Sequence, residues 1–189
     1  MSIQSERATS RFQFRLMWSR MRQAAKLDRE GVLQLKADKD ATGQSIAVLV
    51  FAALSYGIGF TLLSEFRSNS LSLYGIIVGS LTGMVSVCFA GFVWSAMAFL
   101  VGTKLFQGKT GYWELARPLF FSAGPFFLFI LLAVPFYPVQ VAVTLIVAVW
   151  VVLAQGFVLK QVMGFSFQRT VLTIAVGLLI LTFVELQFL

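Results

Sequence analysis

The residues that most often carry catalytic or metal chemistry are scarce in this chain. Its 189 residues include no histidine, one cysteine and eight Asp and Glu residues. Histidine is the usual general base and metal ligand near neutral pH. The single cysteine, Cys88, lies in an uncharged apolar run and cannot form an internal disulfide. No two acidic residues are positioned to share a site, so we expect no enzyme activity, no metal and no cofactor.

A glycine-rich segment from Gly102 to Thr110, GTKLFQGKT, resembles a nucleotide-binding P-loop at first sight. A P-loop has four residues between its first glycine and the Gly-Lys pair, and it joins a strand to a helix. This segment has five residues there and follows an apolar run of membrane-spanning length. A nucleotide site is therefore not predicted.

The amides Gln140 and Gln155 lie within the last three apolar runs. Gln155 lies deeper, and an interhelical hydrogen bond is the default interpretation for it. A path lined by Gln155, Ser86 and Thr82 would instead make the protein a small transporter or channel. Ion and proton paths usually contain ionisable residues in mid-span. The span interiors here contain none, which disfavours this alternative.

The elements that must position these residues are membrane spans. Apolar residues make up 58% of the chain and charged residues 12%, about half the charged fraction of a soluble domain. The apolar residues form uninterrupted runs, and about 20 helical residues cross ~30 Å of hydrocarbon. We predict an all-α, polytopic integral membrane protein with five transmembrane helices. Their predicted bounds are 45–63, 79–103, 118–135, 139–159 and 170–188.

Two features decide these bounds. Residues 71–103 carry no charge, but one straight helix of that length would measure ~50 Å. We therefore interpret residues 71–78 as an interfacial or protruding opening turn. Pro135 and Pro138 interrupt the longest uncharged run and predict a tight turn between two spans. The connection from Phe106 to Arg117 is predicted to be a polar loop.

The distribution of Lys and Arg predicts the orientation. Residues 1–43, the predicted cytoplasmic tail, carry nine of them, and residues 44–189 form the five-span membrane domain. The successive loops carry one, three, none and two, and the C-terminus carries none. Cytoplasmic segments are enriched in Lys and Arg. The N-terminus is therefore predicted in the cytoplasm and the C-terminus outside.

The tail contains a basic, partly amphipathic segment. Its apolar face contains Phe14, Met17, Trp18, Met21, Ala24 and Ala25. Such a helix can lie in the membrane interface, and the alternative is a helix that packs on the protein's own loops. The expected membrane-surface contacts are Arg11, Arg15, Trp18, Arg22 and Lys26. A basic tail in a membrane protein usually meets anionic lipid headgroups, so lipids and not nucleic acid are the expected partners.

Small residues recur at four-residue intervals along the second predicted span. This glycine stripe consists of Gly75, Gly79, Gly83, Gly91 and Ser95, with Val87 the one large residue in the register. In lipid, small residues on one side of a helix let two backbones approach closely. We predict a helix-packing surface whose partner is another span of this chain, a second copy or another membrane protein.

The connection after the second predicted span reads FQGKTGYWELAR and is followed by Gly124-Pro125. It resembles bacterial members of the Yip1 domain family, in which a Phe-x-Gly-Gly/Lys-x-Gly/Ser-Tyr/Phe segment precedes Glu-Leu-x-Arg and a span with an early proline. Leu115 and Pro125 also match. The other matching residues, called the motif residues below, are Phe106, Gly108, Lys109, Gly111, Tyr112, Glu114 and Arg117.

The resemblance covers residues 37–189 and implies five spans in the bacterial cytoplasmic (inner) membrane. Eukaryotic relatives act in vesicle trafficking with Rab-type GTPases. Of their Asp-Leu-Tyr-Gly-Pro motif, only Leu73-Tyr74-Gly75 is present here. The expected function is a non-catalytic scaffold or accessory subunit that packs with another membrane protein or a second copy. A small transporter or channel and a lipid-handling protein are the alternatives.

Overall fold

A computed structural model describes residues 14–186, with side chains as far as Leu179. The regular elements in this range are helical. The α-helices are α1 (Phe14–Ala25), α2 (Arg29–Ala37), α3 (Ala41–Ser68), α4 (Leu73–Leu100), α5 (Tyr112–Phe121), α6 (Tyr137–Met163) and α7 (Phe167–Leu186). A π-helical turn, Val101–Leu105, extends α4, and a 3₁₀ segment, Gly124–Ala133, follows α5.

Four of these elements are long and apolar enough to cross a membrane. They are Ala41–Ser68, Leu73–Leu105, Tyr112–Ala133 and Tyr137–Met163. In α7 the described apolar stretch runs from Phe167 to Leu179. This helical architecture agrees with the predicted polytopic membrane protein. The number of five spans and the orientation stay predictions.

The segment Tyr112–Ala133 lies at the centre of the bundle. In its most apolar window 72% of the residues are buried inside the molecule, compared with 6% for Leu73–Leu105. The segment changes from α-helix to 3₁₀-helix between Phe121 and Gly124. Pro125 follows this change, and proline has no N–H with which to continue an α-helix. The third predicted span is therefore two short helices in series.

The loop before α5 is shorter than the sequence predicts. The predicted polar loop from Phe106 to Arg117 is wrong in its second half, because α5 begins at Tyr112. The carboxylate of Glu114 accepts a hydrogen bond from the backbone N–H of Gly111 (2.9 Å). A glutamate at this third helical position stabilises a helix start. The helix carries Arg117 into the bundle.

The predicted turn between the third and fourth spans is confirmed. The 3₁₀ segment ends at Ala133 and α6 begins at Tyr137. Carbonyls at the end of a helix have no partner within that helix. The side-chain amide of Gln140 supplies one by donating to the carbonyl of Val134 (3.0 Å). Gln140 therefore closes the turn.

Helices α1 and α2 pack on the bundle as a helical hairpin, with Leu27 between them in the left-handed conformation (φ 61°). The buried α1 side chains are Met17, Met21 and Ala24, and they pack with residues of α3 and α5. The indole N–H of Trp150 on α6 donates to the carbonyl of Ala25 (2.9 Å). The hairpin is thus joined to several elements of the membrane domain.

Candidate functional site

The glycine stripe faces α3 of the same chain. A Cβ atom added to Gly83 would lie 2.8 Å from the Cα of Gly57, and one added to Gly79 would lie 2.7 Å from the side chain of Thr61. Real Cβ atoms do not approach other atoms so closely. Glycine therefore allows the α3 and α4 backbones to meet, as small residues do in lipid. Of the three partners left open by the sequence, another span of this chain occupies this part of the stripe.

The two ends of the stripe meet other side chains. A Cβ atom on Gly75 would lie 2.6 Å from the carboxylate of Glu65, and one on Gly91 would lie 2.9 Å from Leu49. The hydroxyl of Ser95 is fully buried and lies 2.9 Å from the hydroxyl of Tyr112 on α5. The stripe therefore packs against α3 at four positions and against α5 at the fifth.

The first motif residues shape the turn between α4 and α5. The backbone N–H of Gly108 donates to the carbonyl of Gly102 (2.9 Å). A Cβ atom on Gly108 would lie 3.1 Å from the ring of Phe165. Phe106 contacts the same ring edge-on, with 5.9 Å between ring centroids. This part of the motif holds the turn against the segment between α6 and α7, and Lys109 remains exposed.

Arg117 is the most buried charged side chain described, with 6% of its surface exposed. Its Nε donates to the hydroxyl of Thr42 (2.8 Å), and a terminal guanidinium nitrogen donates to the carbonyl of Lys36 (2.9 Å). The ammonium of Lys36 in turn donates to the carbonyl of Val162 (2.8 Å). Hydrogen bonds from charged donors are stronger than neutral ones. These contacts connect α5 to α2, α3 and α6.

The sequence places Arg117 among the motif residues but does not reveal its burial. The available signal is its position, immediately before the uncharged run that begins at Pro118. An arginine at that point is equally compatible with a loop. The capping contact that extends α5 back to Tyr112 decides the matter, because it puts Arg117 on a helix that α2 covers.

A cavity of about 330 Å³ lies between the helices and is partly open to the outside. Its walls come from α3, α4, α5 with the 3₁₀ segment, α6 and α7. At one wall the indole N–H of Trp94 donates to the amide oxygen of Gln155 (3.0 Å). The amide nitrogen of Gln155 donates to the carbonyl of Leu119 (3.2 Å). The interhelical hydrogen bond predicted for Gln155 is confirmed, but the sequence did not predict the cavity.

Comparison with known proteins bears on the same region of the chain. A family model described as the Yip1 domain matches residues 28–186. The chain belongs to the Yip1 domain family. No curated protein and no solved structure matches it. The Yip1 domain match includes α2 through α7, and with them the glycine stripe, the motif residues and the cavity.

The polar residues proposed to line a path through the Yip1 domain are not brought together. Gln155 lies at the interior cavity and is bonded to Trp94. Thr82 and Ser86 are exposed on the outer side of α4. Among the residues that the structure describes, no three His, Cys, Asp or Glu side chains are grouped closely enough to hold a metal ion.

The residues expected to contact the membrane surface lie on or beside α1, before the matched Yip1 domain. Trp18 is 51% exposed, and Arg15, Arg22 and Lys26 are also exposed. Arg11 lies outside the described residues. The opposite side of α1 packs on the bundle, which agrees with the alternative that this helix packs on the protein itself. Contact between the exposed side and lipid stays a prediction.

Proposed function

We propose that this Yip1 domain protein is a non-catalytic scaffold or accessory subunit of a membrane protein assembly. It crosses the bacterial cytoplasmic membrane five times in this proposal, with the N-terminus in the cytoplasm and the C-terminus outside. The alternation of Lys and Arg between loops supports this orientation. The observation that supports the proposed role is that polar side chains inside the bundle bond to other parts of the protein.

With one exception, polar side chains inside the described part of the bundle bond to one another or to backbone carbonyls. Tyr112 is paired with Ser95, and Trp94 with Gln155. In the described part of the chain, the hydroxyl of Ser80 is the one buried side-chain nitrogen or oxygen without a partner. Enzymes and transporters need interior polar groups that can contact a substrate or solute. Because these polar side chains already bond one helix to another, they support a structural role.

An assembly partner needs a surface other than the glycine stripe, because α3 occupies the stripe. Helix α6 presents an apolar row in which Leu145, Val149 and Leu153 are 60%, 59% and 57% exposed. Residues four apart lie on one side of a helix. Leu27, between α1 and α2, borders the same surface depression. Helices in lipid associate through complementary shape, and this row beside a depression is the partner surface that we propose.

Site-specific photo-crosslinking tests the proposal. Benzoylphenylalanine is introduced at Val149 in the full-length protein, and native membranes are irradiated before solubilisation. We expect a crosslinked protein product at Val149, whose mass distinguishes a second copy from a different membrane protein. The matched control carries the same crosslinker at Val85, which is 61% exposed on α4, and should give mainly lipid adducts.

Purification in mild detergent followed by mass spectrometry provides a second measurement. Recovery of a protein in fixed stoichiometry supports the scaffold role. The proposal is wrong if Val149 and Val85 give lipid adducts alone and the purified protein is a lone monomer.

A further inference from the structure

Small side chains leave the space for the interior cavity. Ala90 and Gly91 of α4 line the cavity together with Ala123, which lies between α5 and the 3₁₀ segment. Larger residues at these positions would fill the volume with side-chain atoms. Phe120 and Ala123 at the back of the cavity are buried, with 2% and 5% of their surfaces exposed. The cavity therefore extends from the outside of α4 to the central segment of the bundle.

The cavity lies at the level of the hydrocarbon. Along their helices, Tyr56, Trp94 and Gln155 are nine, ten and five residues from the nearest charged side chain. At 1.5 Å per helical residue, these separations correspond to roughly 7–15 Å. The medium that surrounds the cavity in a membrane is thus the acyl-chain region, and not water or headgroups.

The lining is apolar, and its polar groups are already paired. A buried water needs two to four polar partners, and apolar cavities of this kind stay dry. Trp94 and Gln155 donate to partners within the protein. An apolar occupant therefore contacts the lining without displacing bound water.

The cavity is continuous with the outer surface of the bundle. Among its lining residues, Val152 of α6 and Leu178 of α7 are each 50% exposed, and Ala90 of α4 is also exposed. These three helices surround an opening that faces the membrane. The opening meets the hydrocarbon of the membrane, where flexible acyl chains are the surrounding molecules.

We propose that this cavity binds one acyl chain of a membrane phospholipid. The chain enters between α4 and α6, and its end lies against Phe120 and Ala123. Shape and dispersion contacts with the apolar lining provide the binding free energy. The site needs no partner protein, so it goes beyond the proposed scaffold role and can be tested separately from it.

Photolabelling with a lipid tests this site directly. The full-length protein is reconstituted in phosphatidylethanolamine vesicles that contain phosphatidylglycerol with a diazirine in mid-acyl chain. The vesicles are irradiated, and adducts are mapped by peptide mass spectrometry. We expect adducts on residues 119–126, which include the buried Phe120 and Ala123, as well as on outward-facing residues. Lipid outside the bundle cannot reach those buried side chains.

A filling substitution provides the matched comparison. Ala90→Phe puts a ring at the opening, and we expect adducts on residues 119–126 to fall by about tenfold. Ala142→Phe puts the same ring on an exposed position of α6 that does not line the cavity, and labelling should not change. Wild-type protein labelled on its outward faces alone would overturn the proposal, whatever the behaviour of the variants. Equal labelling of residues 119–126 in both variants would also overturn it.

Discussion

At the scale of single residues, the absence of a side chain decides how α3 and α4 meet. Gly83 lies so close to Gly57 that any Cβ atom there would overlap the α3 backbone. A backbone cannot move aside as the end of a flexible side chain can. A larger side chain at Gly79 or Gly83 would therefore force α3 and α4 apart.

The first prediction compares two glycines that become alanine. Gly83→Ala should destabilise the protein by about 1–3 kcal/mol, because the added atom forces a packed backbone apart. The measurement is thermal unfolding of the purified protein in detergent. The control, Gly43→Ala, adds a Cβ atom with no neighbour within 4 Å. It should leave stability unchanged or raise it by up to about 1 kcal/mol, since alanine favours a helix. Equal midpoints for the two variants would contradict the close approach.

At the scale of elements, polar contacts attach α2 to the membrane domain. Arg117 on α5 donates both to the carbonyl of Lys36, in α2, and to Thr42, in the first turn of α3. The capping contact of Glu114 places Arg117 on the helix, and the guanidinium then joins the helix to its neighbours. The motif residues thus act in two steps, first in starting α5 and then in holding α2.

The second prediction removes this attachment. Arg117→Met keeps the unbranched aliphatic part of the side chain but loses two hydrogen bonds from a charged donor, each worth about 1.5–3 kcal/mol. Backbone amides of residues 29–42 should exchange faster, by about a hundredfold or more. Hydrogen-exchange mass spectrometry in detergent measures the change. Lys109→Met, at an exposed motif residue, is the matched control and should exchange as wild type. The same exchange rates in both variants would show that Arg117 does not hold α2.

At the scale of the whole molecule, the predicted five-span topology assigns each loop to one side of the membrane. The connection between α3 and α4 and the connection between α4 and α5 lie at opposite ends of the long helix Leu73–Leu105. The positive-inside pattern predicts that the first is outside and the second is in the cytoplasm.

The third prediction tests this orientation with single cysteines. In a Cys88→Ala background, Ser70→Cys and Lys109→Cys each place a thiol at an exposed loop position. A membrane-impermeant maleimide should label Ser70→Cys in spheroplasts and Lys109→Cys after the membrane is disrupted. Mass shift on a gel reports labelling. The reverse pattern would invert the topology, and labelling of both variants in intact spheroplasts would mean that Leu73–Leu105 does not cross.

The residues by themselves determined the membrane class, the helical architecture, the proline turn and the family resemblance. Each depends on a property of contiguous sequence. Long runs without charge predict helices in hydrocarbon, and two nearby prolines end a helix. A family motif is a fixed order of residues along the chain. The glycine stripe was visible for the same reason, since small residues at four-residue spacing share one side of a helix.

The tertiary structure decided which surfaces meet. The sequence could not choose between α3, a second copy and another protein as partner of the stripe. That choice depends on Gly57, Thr61 and Glu65, which lie in a different helix. The tertiary structure also buries Arg117. It brings together small residues of different elements, which leave a cavity between them. Hydropathy depends on neighbours along the chain, so the sequence shows it directly. Close packing depends on pairs of positions brought together in space, so the assembled helices are needed to show it.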